Sequence, residues 1–448
     1  MEPTTGFLLA GAALLGLNAV YGMLGTRRRR RVKLWESTAR KGGLARIQKS
    51  RESLLDPVEL TARLDRMRVR FRSYDHGDDG GTHILVSADW PRQLIGFALH
   101  PETTATTSEE KSVEIVVGDE AFDDAFLVGG PAPAVRAWLD AETRTHLLEL
   151  HQWGRVMIAH GELRVEVSER KRSLLPDVLR VQLGVARRLE RRLAIAPALL
   201  SQVIHDPVPG VRLECLSTLT REFGPSQETG EAARAACGDA DPEIRLRAAL
   251  ALGLEGQGVL FELAERLVDD ACAAKALEAL ESKLEPERLL AILERARKTR
   301  RLAASRACLA QLGRKGGAAV LATLVEVMTS DGELGVDAAR ALGTTGLPAA
   351  EGPLIGALAR EPAALRIAAA EALGAVGSAA SVLPLKEAAD EHAADRELGR
   401  AARQAVAEIQ ERLTGASPGQ ISLSDDNSGR LSVAGDTAGR LSTPDTED

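Results

Sequence analysis

The second half of the chain repeats itself about every 30 residues, and that period restricts the fold more than any other feature. A unit this short cannot bury an apolar face alone, so neighbouring copies must stack into one continuous core. The clearest copy is DPEIRLRAALALG, Asp241 to Gly253. Related endings close at Gly224 (LSTLTREFG), Gly313 (SRACLAQLG), Gly343 (VDAARALG) and Gly374 (IAAAEALG), at intervals of about 29, 60, 30 and 31 residues. The double interval contains a degenerate copy, KALEALE, ending at Glu281, and a last copy, RAARQAVA, ends at Ala407.

Each element of the motif has a physical purpose. Asp206-Pro207 and Asp241-Pro242, with Glu361-Pro362 as a variant, place a helix-start acceptor before a residue that needs no N–H in the first turn. That predicts the start of the second helix of each repeat. The alanines permit close helix approach, and the leucine, Leu252 in the clearest copy, is expected as the core knob. The terminal glycines Gly253, Gly313, Gly343 and Gly374 are expected to cap their helices in a left-handed conformation.

These residues resemble the HEAT-like repeats related to those of phycobiliprotein lyases, over about 200–413. The resemblance implies an α-solenoid, and it implies that Arg212, Arg245 and Arg366 bridge neighbouring repeats. Pigment-lyase activity does not carry over, because the repeat is a scaffold shared by many functions and no bilin-handling residues are identifiable. The preceding amphipathic stretch, Leu174 to Ala194, carries Arg187, Arg188, Arg191 and Arg192 on its polar side and is expected to cap the array.

Composition agrees with a mostly α chain. Aromatic residues make up only 3% of the sequence, which disfavours a large β-rich core. Cys215, Cys237, Cys272 and Cys308 contain no CxxC pair, so they read as small core residues in a reducing compartment. The net charge of −7 is unevenly distributed and says little about partners.

The N-terminus reads differently. Phe7 to Leu24, FLLAGAALLGLNAVYGML, has no charged residue and nearly crosses a hydrocarbon layer at 1.5 Å per residue. Arg27, Arg28, Arg29, Arg30, Arg31 and Lys33 follow it, the reverse of a signal peptide. The positive-inside rule then predicts a transmembrane anchor over 1–26 with everything after it cytoplasmic, the alternatives being a signal peptide or a buried helix. The basic run continues to Arg63, Arg66, Arg68, Arg70 and Arg72, and 27–72 is expected to be a helical juxtamembrane segment that meets anionic lipid or is simply solvated. Nucleic-acid binding is not expected, since no aromatic interleaving or motif accompanies the charge.

Between 73 and 170 the pattern turns strand-like: THILVS (Thr82–Ser87), QLIGFAL (Gln93–Leu99) and SVEIVV (Ser112–Val117), with turn-rich sequence between them. A small α+β domain is expected. GDEAFDDAFLVGG, a helical stretch and the hairpin-like GRVMIAHGELRVEV follow in order. That order resembles a bacterial domain of unknown function found in membrane-anchored proteins, which supplies no activity to transfer. Asp119, Asp123 and Asp124 cluster, with His146, His151 and His160 downstream, but His146 and His151 are five apart and point away from a common ligand position on a helix. No metal or other cofactor is expected. Phe122 and Phe126 read as core.

Past Leu413 apolar residues thin out, so 414–448 is expected to be disordered. It holds three ten-residue copies, GQISLSDDNS, GRLSVAGDTA and GRLSTPDTED, a pattern that suits a multivalent linear motif or an idle low-complexity repeat. No nucleophile–base arrangement, phosphate loop or metal set is visible. The expected function is therefore a non-enzymatic, membrane-anchored protein–protein interaction scaffold, with protein partners and no small-molecule substrate. The alternative is a regulatory subunit of a separate membrane-associated enzyme or transport complex.

Overall fold

The computed structural model of the chain describes residues 26–49, 58–74, 80–102, 114–281, 283–412, 421–423 and 431–433. It is mostly helical, with a sheet in its N-terminal part. The apolar segment Phe7–Leu24 lies outside the described residues. Among the described residues, no helix is long and apolar enough to cross a membrane. The chain divides into two compact units that part between Leu252 and Gly253.

The first unit begins with a helix over residues 26–41 (α1). Strands β1 (Ala45–Lys49), β2 (Glu59–Leu64), β3 (Met67–Tyr74), β4 (Gly81–Ser87), β5 (Ala98–Pro101), β6 (Phe126–Gly129), β7 (Arg155–Ala159) and β8 (Glu162–Ser168) form one sheet. Its order is β1-β2-β3-β4-β8-β7-β5-β6 and every pairing is antiparallel. Among the described residues, the helical expectation for 27–72 therefore holds only for α1. The physical reason lies in MRVRFRSY, where Met67, Val69 and Phe71 alternate with Arg68, Arg70 and Arg72, a period of two that buries one face. Gln93–Leu99 also departs from its expectation: Arg92–Leu94 is a 3-10 turn, and the strand starts only at Ala98.

One sheet face is covered by helices. Trp35 of α1 stacks on Phe71 at 6.0 Å between ring centroids, and its Nε1 donates to Thr82 Oγ1 at 3.1 Å. Helix α5 (Leu175–Leu189) packs on β4 and β8, with Leu175, Val178, Leu179, Gln182, Ala186 and Leu189 buried at helical spacing. The Nε2 of buried Gln182 donates to the carbonyls of Ile84 (2.9 Å) and Leu163 (2.8 Å), while its Oε1 is buried without a hydrogen-bond partner. This helix thus covers the sheet, where the sequence suggested a cap on the repeats. Three helices precede it: α2 (Glu120–Asp123), α3 (Ala132–Trp138) and α4 (Ala141–Trp153). Phe122 on α2 and Phe126 on β6 are both fully buried, 5.1 Å apart.

Four helices of the repeats complete this unit: α6 (Ile195–His205), α7 (Pro209–Glu222), α8 (Gln227–Ala236) and α9 (Pro242–Leu252). Leu246 is fully buried on α9 while Leu252 is only half-buried, which corrects the expected core knob in this copy.

The second unit continues the helical alternation. Its helices are α10 (Gln257–Arg266), α11 (Asp270–Ala279), α12 (Pro286–Lys298), α13 (Leu302–Lys315), α14 (Ala318–Ser330), α15 (Gly335–Thr344), α16 (Glu351–Ala357), α17 (Ala363–Val376), α18 (Val382–Glu391) and α19 (Arg396–Arg412). The second helices stack in sequence, α11 on α13, α13 on α15, α15 on α17 and α17 on α19, as a repeat array requires. Leu312, Leu342 and Leu373 are fully buried there.

Most of the tail expected to be disordered, 414–448, lies outside the described residues; within it Ile421–Leu423 (β9) and Leu431–Val433 (β10) pair antiparallel, with Ser422 opposite Ser432. Their apolar–Ser–apolar triplets alternate as strands do.

Candidate interaction surface

The motif residues fall into three structural classes. The first is the junction between the sheet domain and the repeats. Helix α7 starts at Pro209 with Val208 at its N-cap, so Asp206 and Pro207 lie ahead of the helix and do not begin it. The Asp206 carboxylate is buried and accepts two hydrogen bonds from Arg144 on α4, Nη1–Oδ2 at 3.0 Å and Nη2–Oδ1 at 2.9 Å. Arg144 also donates to Asp119 Oδ2 (2.8 Å) and to the Leu139 carbonyl (2.9 Å). Burial alone pushes the Arg144 guanidinium down, but the Asp206 and Asp119 carboxylates hold it above the usual arginine value.

A second arginine reinforces this junction. Arg136 on α3 donates to the Val116 carbonyl (2.7 Å), Thr218 Oγ1 (2.9 Å) and Glu214 Oε2 (2.8 Å), the last two on α7. Gln202 Nε2 on α6 donates back to the Arg136 carbonyl at 2.9 Å. Gly118, at φ +95°, faces Gly210 so closely that a Cβ on either would fall within 2.3 Å of the other's backbone oxygen. Sequence reasoning missed Arg136, Arg144, Asp119 in this role and Gln202, because no local pattern links residues 62 or 82 positions apart.

The second class links neighbouring repeats. Arg212 makes a two-pronged ion pair with Asp239, at 2.7 and 2.8 Å, across a gap of 27 residues, and also donates to the Asp206 carbonyl. Arg366, by contrast, donates to Glu361 Oε1 (2.7 Å) and the Arg360 carbonyl, both in the turn of its own repeat. Arg245 is half-buried on α9. Asp241 caps α9 by accepting from the amides of Glu243 (2.8 Å) and Ile244 (3.3 Å), with Pro242 at the first helical position.

The glycines divide between two uses. Gly253 has φ +58° just past α9 and stands where a left-handed cap belongs. Gly313, Gly343 and Gly374 lie inside their helices. A Cβ on Gly313 would sit 2.7 Å from the Ala341 carbonyl oxygen, one on Gly343 2.7 Å from Ala372 Cα, and one on Gly374 3.3 Å from Ala405 Cα. Each glycine thus admits the backbone of the next second helix, and the left-handed cap expected for these three is corrected to close packing.

The third class is exposed charge. Arg27, Arg29, Arg30 and Lys33 on α1 are exposed, Arg28 is half-buried, and Arg31 is half-buried in an ion pair with Glu169 at 3.2 Å. In the second unit, Arg306, Arg314, Arg340, Glu371, Arg400 and Arg403 are exposed on successive second helices. The exposed large apolar side chains among the described residues are Ile95, Val116, Ile204, Leu250, Leu254 and Val268, none beyond Val268. The ridge of the second unit is therefore polar, suited to salt-sensitive contacts.

The polar cluster of the sheet domain is occupied by packing. Asp119 serves Arg144, and Asp123 accepts from the amides of Val117 (3.0 Å) and Gly118 (2.8 Å) while burial raises its pKa. Burial lowers the pKa of His151, whose ring meets Phe126 edge-on at 4.9 Å. Among the described residues, no group of three or more His, Cys, Asp or Glu side chains is arranged to hold a metal ion. All four cysteines are free, and burial pushes the thiols of Cys215 and Cys308 up to about 12.

No family model matches the sequence, and no curated protein matches it. Among solved structures, the chain is similar to human deoxyhypusine hydroxylase in complex with glycerol, at 18% identity over 48% of this chain and 96% of that one. The TM-score is 0.21, too low to carry an argument about fold or activity.

Proposed function

We propose that the protein is a membrane-anchored, non-enzymatic protein–protein interaction scaffold, whose repeats form a HEAT-like solenoid. The observation that carries this reading is the stacking of second helices through Gly313, Gly343 and Gly374. It brings the outer residues of successive repeats into one ridge, with Arg306, Arg340 and Arg403 exposed. A surface built of many small contacts suits an extended partner better than a small-molecule substrate.

The anchor is part of the same proposal. Residues 1–26 span the membrane, the remainder is cytoplasmic, and the exposed cations Arg27, Arg29, Arg30 and Lys33 meet anionic lipid headgroups. The test is crosslinked capture from membranes of the full chain and of its R306Q/R340Q/R403Q variant, with protease shaving of intact cells alongside. The proposal expects a defined partner set that the variant loses, and repeats protected from outside protease. Identical capture by both chains, or repeats cleaved from outside, contradicts it.

A further inference from the structure

The basic run of the N-terminal region is split by the sheet onto two opposite sides. Trp35 fixes α1 against Phe71 and Thr82, on the covered face. Arg68, Arg70 and Arg72 alternate with Val69 and Phe71 on β3, so they project from the other face. The register puts Arg63 directly opposite Arg68, and both are exposed, as is Arg72. Among the described residues, no carboxylate forms an ion pair with Arg63, Arg68 or Arg72, whereas Arg70 pairs with Glu162.

Two like charges directly opposite across antiparallel strands destabilise a sheet. The Arg63–Arg68 rung therefore works against folding, and a feature that breaks a local rule without a packing gain marks a functional surface. We propose that this open face of β2 and β3 docks an extended acidic polypeptide segment of a partner protein. Carboxylates on alternate residues of an extended chain stand roughly 6.6 Å apart, the same spacing as Arg68, Arg70 and Arg72 along β3. Arginine is the side chain best shaped to hold a carboxylate through two parallel hydrogen bonds.

The surroundings select against other anions. A flat bilayer that meets the exposed cations of α1 faces away from the arginine rows. Glu162 and Glu166 in the adjoining rows of β8 lie against Arg70 and His83, and Glu59 stands opposite Arg72, so the unpaired cations form a short patch on β2 and β3 and no continuous track for a phosphate backbone, while Tyr74 and His83 are engaged with each other, 4.4 Å between ring centroids. The inference concerns the sheet domain and stands independently of the scaffold reading of the repeats.

The experiment measures binding of three probes to the full chain in nanodiscs of neutral lipid. They are a labelled peptide of alternating Glu and Thr, an oligothymidine strand, and vesicles containing phosphatidylserine. The peptide is expected to bind in a salt-sensitive manner, and R63Q/R68Q/R72Q to weaken it by about tenfold or more, the loss of several charge-assisted contacts. R29Q/R30Q/K33Q is expected to leave peptide binding unchanged. The sheet variant should melt at the same or a higher temperature, because a repulsive rung is gone. Absent peptide binding, peptide binding untouched by the sheet variant, a lowered melting temperature, or oligothymidine or vesicles bound more tightly and lost in that variant would each overturn the assignment.

Discussion

Both compact units contain copies of the same repeat, and they hold together by different physics. In the first, the repeats are fastened to the sheet domain by two buried arginines, Arg144 with buried Asp206 and Arg136 with half-buried Glu214, and Asp119 holds Arg144 from within the sheet domain. In the second, adjacent repeats meet by removal of side chains, with Gly343 against Ala372 and Gly374 against Ala405. Ionic help there is at the rim, as where Asp270 accepts from the amides of Ala303 and Ala304 at 2.9 Å and so caps the next second helix. A junction between unlike surfaces can use a specific charged lock to fix one geometry, whereas like units need only a shape that repeats.

The largest expected effect breaks the first junction. Arg144→Met leaves the Asp206 carboxylate buried, and that of Asp119 half-buried, without their arginine and should cost about 3–5 kcal/mol. Urea unfolding followed by a probe in each unit should show the loss in the first unit only. A shift in both, or in neither, removes the distinction.

The second unit has a sharper test, because two principles predict opposite signs. Replacing a helical glycine by alanine ordinarily stabilises by about 0.5–1 kcal/mol. Gly356→Ala on α16, where an added Cβ meets nothing within 4 Å, should follow that rule. Gly343→Ala should instead destabilise by about 1–3 kcal/mol, since the methyl group lands on the Ala372 backbone. Thermal melts of the two variants that move in the same direction would contradict the close-packing role.

A smaller effect separates the ionic link within the first unit by pH. Burial raises the pKa of Asp239, but its hydrogen bonds from Arg212 more than offset this and hold it below the usual carboxylate value. A depressed carboxylate contributes stability that is full above its unfolded pKa of about 4 and is lost as pH falls through the folded value. Asp239→Asn should therefore lose stability relative to the parent at neutral pH, and the gap should close as the solution is acidified below that range. A gap independent of pH would mean the pair is not ionic in its effect.

The smallest perturbation is chemical labelling. Burial raises the thiol pKa of Cys237, Cys215 and Cys308 alike, but Cys237 is only half-buried while the other two are buried and pushed up to about 12, so a maleimide should modify Cys237 first and reach Cys215 and Cys308 only on unfolding. Rapid native labelling of Cys308 would show that the second unit opens more readily than its packing implies.

The repeats were legible because their signal is periodic and local: Asp241, Pro242 and Gly253 do at α9 what a helix start and stop require. The same letters misled further on. A glycine closing an ALG triplet looks alike whether it turns the chain at 253 or admits a neighbouring helix at 343, and only the partner helix decides. The strands over 59–74 were hidden by their charge, since the arginines of MRVRFRSY drew the reading to a basic helix although the alternation was present. Asp206 was legible as a special residue, but not its role, because Arg144 lies 62 residues away in a different element.

Residue-resolved hydrogen exchange of Gly343→Ala against the parent chain tests most directly whether the two units are held by different means. The account predicts faster exchange in α13, α15 and α17, with the sheet strands and the Arg144 junction as protected as before. Faster exchange spread equally through both units, or unchanged exchange in α13 to α17, would contradict it.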